Sequence, residues 1–166
     1  EGEKDRRKAG KVIEQKLLPL LALLQSSIER SHFVSLIAKK TGVKEEMIED
    51  HILWYRMRAA EIILEKAEWL PGAEDMLQKL KGAGHILGIV TTAGQITSEA
   101  ICKKTKLHEY MPPEWIINGN QVKEHKPHPE GLLRIASILS VKPGECTYTG
   151  DHDSDVEAGL AAGYRE

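Results

Sequence analysis

The chain has 166 residues, of which 41% are hydrophobic and 29% are charged, and its formal net charge is −2. This composition is typical of a globular protein, and the length suits either one domain or one domain plus an appendage. The small net charge argues against nucleic acid or an anionic membrane as a partner. The longest apolar run, residues 17–24, is too short to cross a bilayer. Two distant cysteines, Cys102 and Cys146, and a start without secretory features predict reduced thiols in a cytoplasmic protein.

The first 68 residues are predicted to be helical throughout. Apolar residues recur there at helical spacing, and Ser26 with Glu29 forms the capping-box pattern that opens a helix. The pattern predicts three helices, at 9–25, 26–40 and 43–68.

From Trp69 onward, predicted helices and strands alternate. The helices are expected at 73–82, 95–106, 129–139 and 155–162, and the strands at 85–91, 114–118 and 146–149. Such alternation implies right-handed crossovers and a parallel sheet covered by helices on its faces. The fold class is therefore α/β, with a Rossmann-like parallel sheet in residues 69–166 preceded by an all-helical segment, residues 1–68.

Polar side chains follow three of the predicted strands or lie beside their ends. Thr91 and Thr92 follow the apolar strand ILGIV, Lys126 lies in EHKPHPE, and Asp151 and Asp155 follow CTYTG. Ligands of parallel sheets bind outside the carboxyl ends of the strands. Hydroxyls and an ammonium suit phosphoryl oxygens, and carboxylates suit Mg²⁺.

The acidic stretch DHDSD, residues 151–155, also resembles the start of an EF-hand calcium loop. An EF-hand calcium loop would need glycine at its sixth position and glutamate at its twelfth, where this chain has Val156 and Ala162. The calcium-loop interpretation is therefore excluded. Asp155 could also be the N-cap of the last helix, and Asp153 is interpreted as a solvated loop residue.

In the order and spacing of these motifs, residues 69–163 resemble the haloacid dehalogenase superfamily of Mg²⁺-dependent phosphatases, particularly its phosphoglycolate-phosphatase-like branch. WLPGAEDMLQKLKGAG resembles the segment that re-enters the core from the cap, and GIVTT the phosphate-binding motif with Thr91. HKPHPEGLL resembles the motif whose lysine neutralises the charge of the phosphate and of the nucleophile, and that lysine is here Lys126. TGDHDSDVEAGLAAGY resembles the metal-binding motif, with Asp151 and Asp155 in its two metal positions. The resemblance implies Mg²⁺ as cofactor and a small phosphorylated metabolite as substrate.

The chain departs from that family at its first motif. The resemblance implies a nucleophilic aspartate in a DxD motif after a first strand, but the only aspartates before residue 75 are Asp5 and Asp50, both in helical contexts. In the family, that strand lies in the middle of the sheet, between those corresponding to 85–91 and 146–149. The chain is therefore expected either to be a piece of a longer protein, with residues 1–68 as its cap, or to be an inactive remnant.

Residues 10–52 also resemble a helical stretch of bacterial DNA primase that follows its catalytic core. The resemblance lies in LLPLLALL and SSIERSHFVSLIAKKTGVKEEMI, and it includes no catalytic motif. It implies an alternative function, a non-catalytic interaction module with a replication-protein partner, fused to a degenerate phosphatase domain. The sequence does not identify the substrate or the oligomeric state.

Overall fold

The computed structural model describes residues 11–24 and 27–165, which fall into two compact units divided after Ile62. The domain boundary between residues 68 and 69, and the assignment of residues 1–68 as a cap, stay predictions. Ser26, the expected N-cap, lies outside the described residues. Within those residues, no helix combines the length and the apolar character that crossing a bilayer requires.

The helices predicted for residues 1–68 are present within the described residues with shifted ends, and the third extends beyond the first unit. A π-helical turn at Ile13–Leu17 leads into α1 (Leu18–Leu23), followed by α2 (Ser27–Thr41) and α3 (Glu45–Lys66). Apolar side chains three or four residues apart lie on one face of a helix, and such faces of the three helices form a core that consists of Leu18, Leu21, Val34, Ile48 and Ile52.

The second unit alternates helices with short strands. Its elements are α4 (Ala73–Gly82), β1 (Ile89–Val90), α5 (Gln95–Thr105), β2 (Ile116–Ile117), α6 (Glu130–Leu139) and α7 (Asp153–Ala162). The two strands are parallel, with Ile89 opposite Ile116 and Val90 opposite Ile117. The predicted α/β class, with an incomplete parallel sheet, is confirmed.

Hydrophobic clusters lie on both faces of this small sheet. Ile89 packs against a cluster built on Leu107, Met111 and Ile116, whereas Val90 packs against another built on Leu132, Ala158 and Ala162. Because successive side chains of a strand point to opposite faces, one dipeptide contributes to both clusters. This two-sided burial explains why the strand is apolar at consecutive positions.

The predicted strands are longer than those observed. The pairing covers only Ile89–Val90 of 85–91 and only Ile116–Ile117 of 114–118. The strand predicted at 146–149 is reduced to a single parallel bridge between Thr147 and Arg165. Strands need a paired neighbour, and within the described residues nothing lies between 85–90 and 146–149 to pair with either segment. Residues 113–115 form a 3₁₀ turn, which shortens the second strand at its start.

Candidate active site

Three side chains from separate parts of the second unit meet behind the carboxyl end of β1. The Lys126 ammonium contacts Oδ1 of Asp155 and lies 3.0 Å from the Tyr148 hydroxyl, which in turn lies 3.0 Å from the same carboxylate oxygen. Only 16% of the Lys126 side chain and 5% of the Asp155 side chain are exposed. Two charges so well buried are tolerated because they neutralise each other.

The N-terminus of α7 holds the Asp155 carboxylate in place. The backbone N–H of His152 donates to Oδ2 of Asp155 at 3.1 Å, and His152 is the residue that precedes the helix. The expectation that Asp155 is itself the N-cap is wrong, because the helix begins two residues earlier, at Asp153. Asp155 instead lies in the first turn, where its carboxylate reaches back to a free backbone N–H.

Gly150 permits this arrangement. A Cβ atom at this position would lie 2.3 to 2.4 Å from Cβ, Cγ and Oδ2 of Asp155, closer than non-bonded atoms approach. Only glycine allows the chain to pass so close to the buried carboxylate. The glycine of TGD is thus required by packing.

The contacts within this group determine the direction of each pKa. Burial raises the pKa of Asp155, but hydrogen bonds from Lys126, Tyr148 and the His152 N–H outweigh it and hold the pKa below its usual value. Burial lowers the pKa of Lys126, but its bonds to Asp155 and Tyr148 raise that pKa above its usual value. Burial raises the pKa of the Tyr148 phenol. A neutral phenol therefore lies beside an ionised pair.

Asp151 and His152 form a solvent-exposed pair beside the cluster of Lys126, Tyr148 and Asp155. His152 Nδ1 lies 2.9 Å from Oδ1 of Asp151, and 89% of the Asp151 side chain is exposed. The His152 side chain lowers the pKa of Asp151, and Asp151 raises the pKa of His152. One ligand atom each from Asp151, His152 and Asp155 lies within 4.8 Å of the others.

The donor set of this cluster fits Mg²⁺ in part. Asp151 offers an exposed carboxylate and Asp155 a second one, and Mg²⁺ is commonly bound by one or two carboxylates together with waters and phosphate oxygens. The imidazole of His152 is a ligand for transition metals rather than for Mg²⁺. The two carboxylates are thus the residues that could hold the ion.

The threonines follow β1, close to the charged group but not bonded to it among the contacts of the described residues. The Thr91 N–H donates to Ile117 O at 2.9 Å, and its hydroxyl accepts a hydrogen bond from the Ala93 N–H at 3.1 Å. Val90, one residue earlier, accepts from the Tyr148 hydroxyl through its carbonyl at 3.5 Å. The Thr92 side chain is exposed. Lys126 and Asp155 are therefore in direct contact. The threonines are connected to that pair only through the end of β1, where the Val90 carbonyl meets the Tyr148 hydroxyl.

Tyr148 and His152 were not among the sequence-predicted site residues. Tyr148 lies in the run CTYTG, where an aromatic residue is typical of a strand and carries no sign of a role in the site. His152 lies between two aspartates of the acidic stretch, and that proximity was the one available signal.

Comparisons with known proteins identify the family of the chain. Residues 28–165 match the sequence model of a family described as haloacid dehalogenase-like hydrolase. Curated proteins named Pyrophosphatase PpaX, from Bacillus thuringiensis (strain Al Hakam) and Bacillus cereus (strain AH820), are 32% identical to the chain over 121 residues. The match covers 73% of this chain and 55% of each relative, so the chain spans about half the length of these relatives.

Solved structures are similar in fold. A hydrolase of the same superfamily, family IA, variant 3, from Entamoeba histolytica HM-1:IMSS has a TM-score of 0.64 at 20% identity, covering 78% of this chain and 60% of that one. A Thermotoga maritima protein provisionally named beta-phosphoglucomutase has a TM-score of 0.61 at 24% identity, covering 83% of this chain and 61% of that one. These relatives lend no support to the primase resemblance of residues 10–52.

Proposed function

Because the chain belongs to the haloacid dehalogenase-like hydrolase family, we propose that it supplies the phosphate-binding and metal-binding half of a Mg²⁺-dependent phosphatase site. The reaction is hydrolysis of a small phosphorylated metabolite. The observation that carries the proposal is the buried Lys126–Asp155 pair with the exposed Asp151 carboxylate beside it. Residues 1–68 would act as the cap that selects the leaving group.

Lys126 and Thr91 are the catalytic residues in this proposal. An ammonium has three N–H donors, and Lys126 gives one to Asp155 and one to Tyr148, so the third is available for a phosphoryl oxygen. Thr91 and Thr92 would bind further phosphoryl oxygens through their hydroxyls. Positive charge and hydrogen-bond donors fixed around the phosphoryl group stabilise the charge that spreads over its oxygens in the transition state.

Asp151 and Asp155 are the proposed metal ligands. Bound Mg²⁺ would neutralise phosphoryl charge and orient the substrate. Asp155 is positioned for this by the His152 N–H, which holds one carboxylate oxygen, and by Lys126, which holds the other. Asp151 is exposed, so its carboxylate can turn towards an ion without losing a buried partner.

The cellular setting proposed for the protein is the cytoplasm. Both cysteines, Cys102 and Cys146, are free thiols, and each is half-buried. Reduced thiols are the rule where glutathione and thioredoxin are present.

The isolated 166-residue chain is expected to have no phosphatase activity, because no residue in it matches the attacking aspartate. The test is phosphate release from a generic phosphomonoester and from inorganic pyrophosphate with Mg²⁺, the latter chosen because the curated relatives are named pyrophosphatases. Release at the rate of a protein-free blank is the expected result. Turnover that disappears in Asp151→Asn but persists in the control Asp153→Asn would contradict the expectation, because the site would then be complete without that aspartate.

A further inference from the structure

We propose that His152 is a metal ligand, and that it makes the ion site of Asp151 and Asp155 selective for a divalent transition metal, Zn²⁺ above all, over Mg²⁺. The proposal rests on the metal-binding role proposed above for the two carboxylates and adds a third ligand to it. That role comes from the order of the sequence motifs, whereas the place of His152 comes from the structure. Among the described residues, these three form the one group of His, Cys, Asp or Glu side chains whose ligand atoms all lie within 4.8 Å of one another.

The distance between His152 and Asp151 suits two ligands of one small ion. Nδ1 of His152 lies 2.9 Å from Oδ1 of Asp151. Zn²⁺ holds nitrogen and oxygen ligands at about 2.0 to 2.2 Å, so two neighbouring ligands of one ion lie roughly 3 Å apart. The two atoms therefore have the spacing that a shared ion requires.

Two of the three ligands can move and the third is fixed. The side chains of His152 and Asp151 are 75% and 89% exposed, so they can turn towards an ion without breaking a buried contact. The buried Asp155 carboxylate is held by the backbone N–H of His152, which donates to its Oδ2 at 3.1 Å. His152 thus contacts Asp155 through its backbone and Asp151 through its ring, which keeps the three ligands together.

The charge of the group favours a transition metal over Mg²⁺. The Lys126 ammonium neutralises Asp155, and a ligating imidazole is neutral, so Asp151 carries the one negative charge that is not offset. Mg²⁺ is bound by carboxylate, water and phosphate oxygens, whereas Zn²⁺, Co²⁺ and Ni²⁺ bind imidazole nitrogen well. The His152 ring should therefore strengthen the binding of these metals and change the affinity for Mg²⁺ little.

Three protein ligands also match the coordination of one class of zinc site. Zn²⁺ is commonly tetrahedral, and zinc sites with three protein ligands keep the fourth position for an exchangeable group. Because Asp151 and His152 are exposed, that position is open to solvent. Zn²⁺ and Mg²⁺ would compete for the same carboxylates, so the ion in the site depends on the supply of Zn²⁺ relative to Mg²⁺.

The proposal is tested on the full chain with Zn²⁺ alone, in a buffer free of phosphate. A fluorescent zinc indicator measures affinity by competition, and imidazole ¹⁵N signals identify the histidine that binds, since the chain has seven. Zn²⁺ is expected to shift the Nδ1 signal of His152, whereas Mg²⁺ should not. His152→Ser should weaken Zn²⁺ binding at least about tenfold, because loss of even a group that only supports a ligand weakens binding by about 10- to 100-fold.

His85→Ser is the matched control and should leave the affinity for Zn²⁺ unchanged. His85 is an exposed histidine of the same unit and does not belong to the group of three ligands. Equal affinity for Zn²⁺ in the wild type and His152→Ser would overturn the proposal. Zn²⁺ binding at His152 that Asp151→Asn leaves unchanged would overturn it as well, because the imidazole would then bind without the carboxylate.

Broadening of NMR signals by Mn²⁺ separates failure of this proposal from failure of the proposed function. Mn²⁺ held by the two carboxylates broadens the amide signals of residues 150–155 even if His152 is not a ligand. Zn²⁺ should restore those signals at a lower concentration than Mg²⁺, and the ratio of the two concentrations should fall at least about tenfold in His152→Ser. Broadening with an unchanged ratio would overturn the role of His152 alone. Absence of broadening at these residues would overturn the carboxylate site too.

Discussion

Asp155→Ala is expected to lower the free energy of unfolding of the second unit by about 3 kcal/mol, because it removes one partner of a buried ion pair. The substitution leaves the Lys126 ammonium with Tyr148 as its only partner in the cluster and leaves the His152 N–H without its acceptor. Urea unfolding followed by the NMR signals of α7 measures the change.

Asp153→Ala is the matched control, because Asp153 is an exposed carboxylate in the same helical turn. Removing its carboxylate should lower the free energy of unfolding by less than about 1 kcal/mol, which is the size of a helix-dipole effect. Equal losses in the two variants would show that Asp155 acts only through the helix terminus and not through Lys126.

The difference in the free energy of unfolding between the wild type and Asp155→Ala should also depend on pH. The pKa of Asp155 is depressed, so its contribution is complete above the unfolded-state value of about 3.9 and is lost as the pH falls through the folded-state pKa. The pKa of Lys126 is raised, so its contribution is complete below about 10.4 and is lost as the pH rises through the folded-state pKa. The difference should be largest between those limits and smaller in acid and in strong base.

Gly150→Ala is expected to destabilise the second unit by about 2 kcal/mol and to displace the Asp155 carboxylate. The new Cβ would occupy space that Asp155 already fills, at 2.3 Å from its Cγ. The carboxylate would have to move away from Lys126 and the His152 N–H, so the pair and the helix contact would be weakened together. Thermal unfolding and the NMR shift of the Asp155 carboxyl carbon report the two effects.

Gly82→Ala is the control for that substitution. No atom lies within 4 Å of a Cβ at Gly82, which is the last residue of α4. Alanine favours the helical conformation more than glycine does, so this variant should be neutral or slightly stabilised. If Gly150→Ala were as stable as Gly82→Ala, the close approach of Gly150 to Asp155 would not constrain the site.

Much of the fold followed from local pattern. The helix at 73–82 was predicted with its observed ends, because the turn WLPG before it and a glycine-rich turn after it mark the boundaries. The sequence predicts where the strands lie but not how long they are, since strand length depends on a pairing neighbour. The segment 146–149 has the composition of a strand, yet it has only Arg165 to pair with among the described residues.

The site was predicted in part. Lys126 and Asp155 are 29 residues apart in the sequence, and the expectation that they converge came from the order of the motifs at strand ends. The role of Tyr148 depends on how its ring turns into the space between two segments, which composition and spacing do not encode. The roles of Thr91, Thr92 and Lys126 as phosphate-binding residues, and of Asp151 and Asp155 as metal ligands, stay predictions.

Selective broadening of NMR signals by Mn²⁺ tests the central claim most directly, because Mn²⁺ shares the oxygen ligands and octahedral preference of Mg²⁺. Substoichiometric Mn²⁺ is expected to broaden the amide signals of residues 150–155 first, and excess Mg²⁺ should restore them. Asp151→Asn should abolish the effect, whereas Asp153→Asn should leave it unchanged. Broadening at these residues that is the same in both variants, or broadening confined to other parts of the chain, would contradict a metal site formed by Asp151 and Asp155.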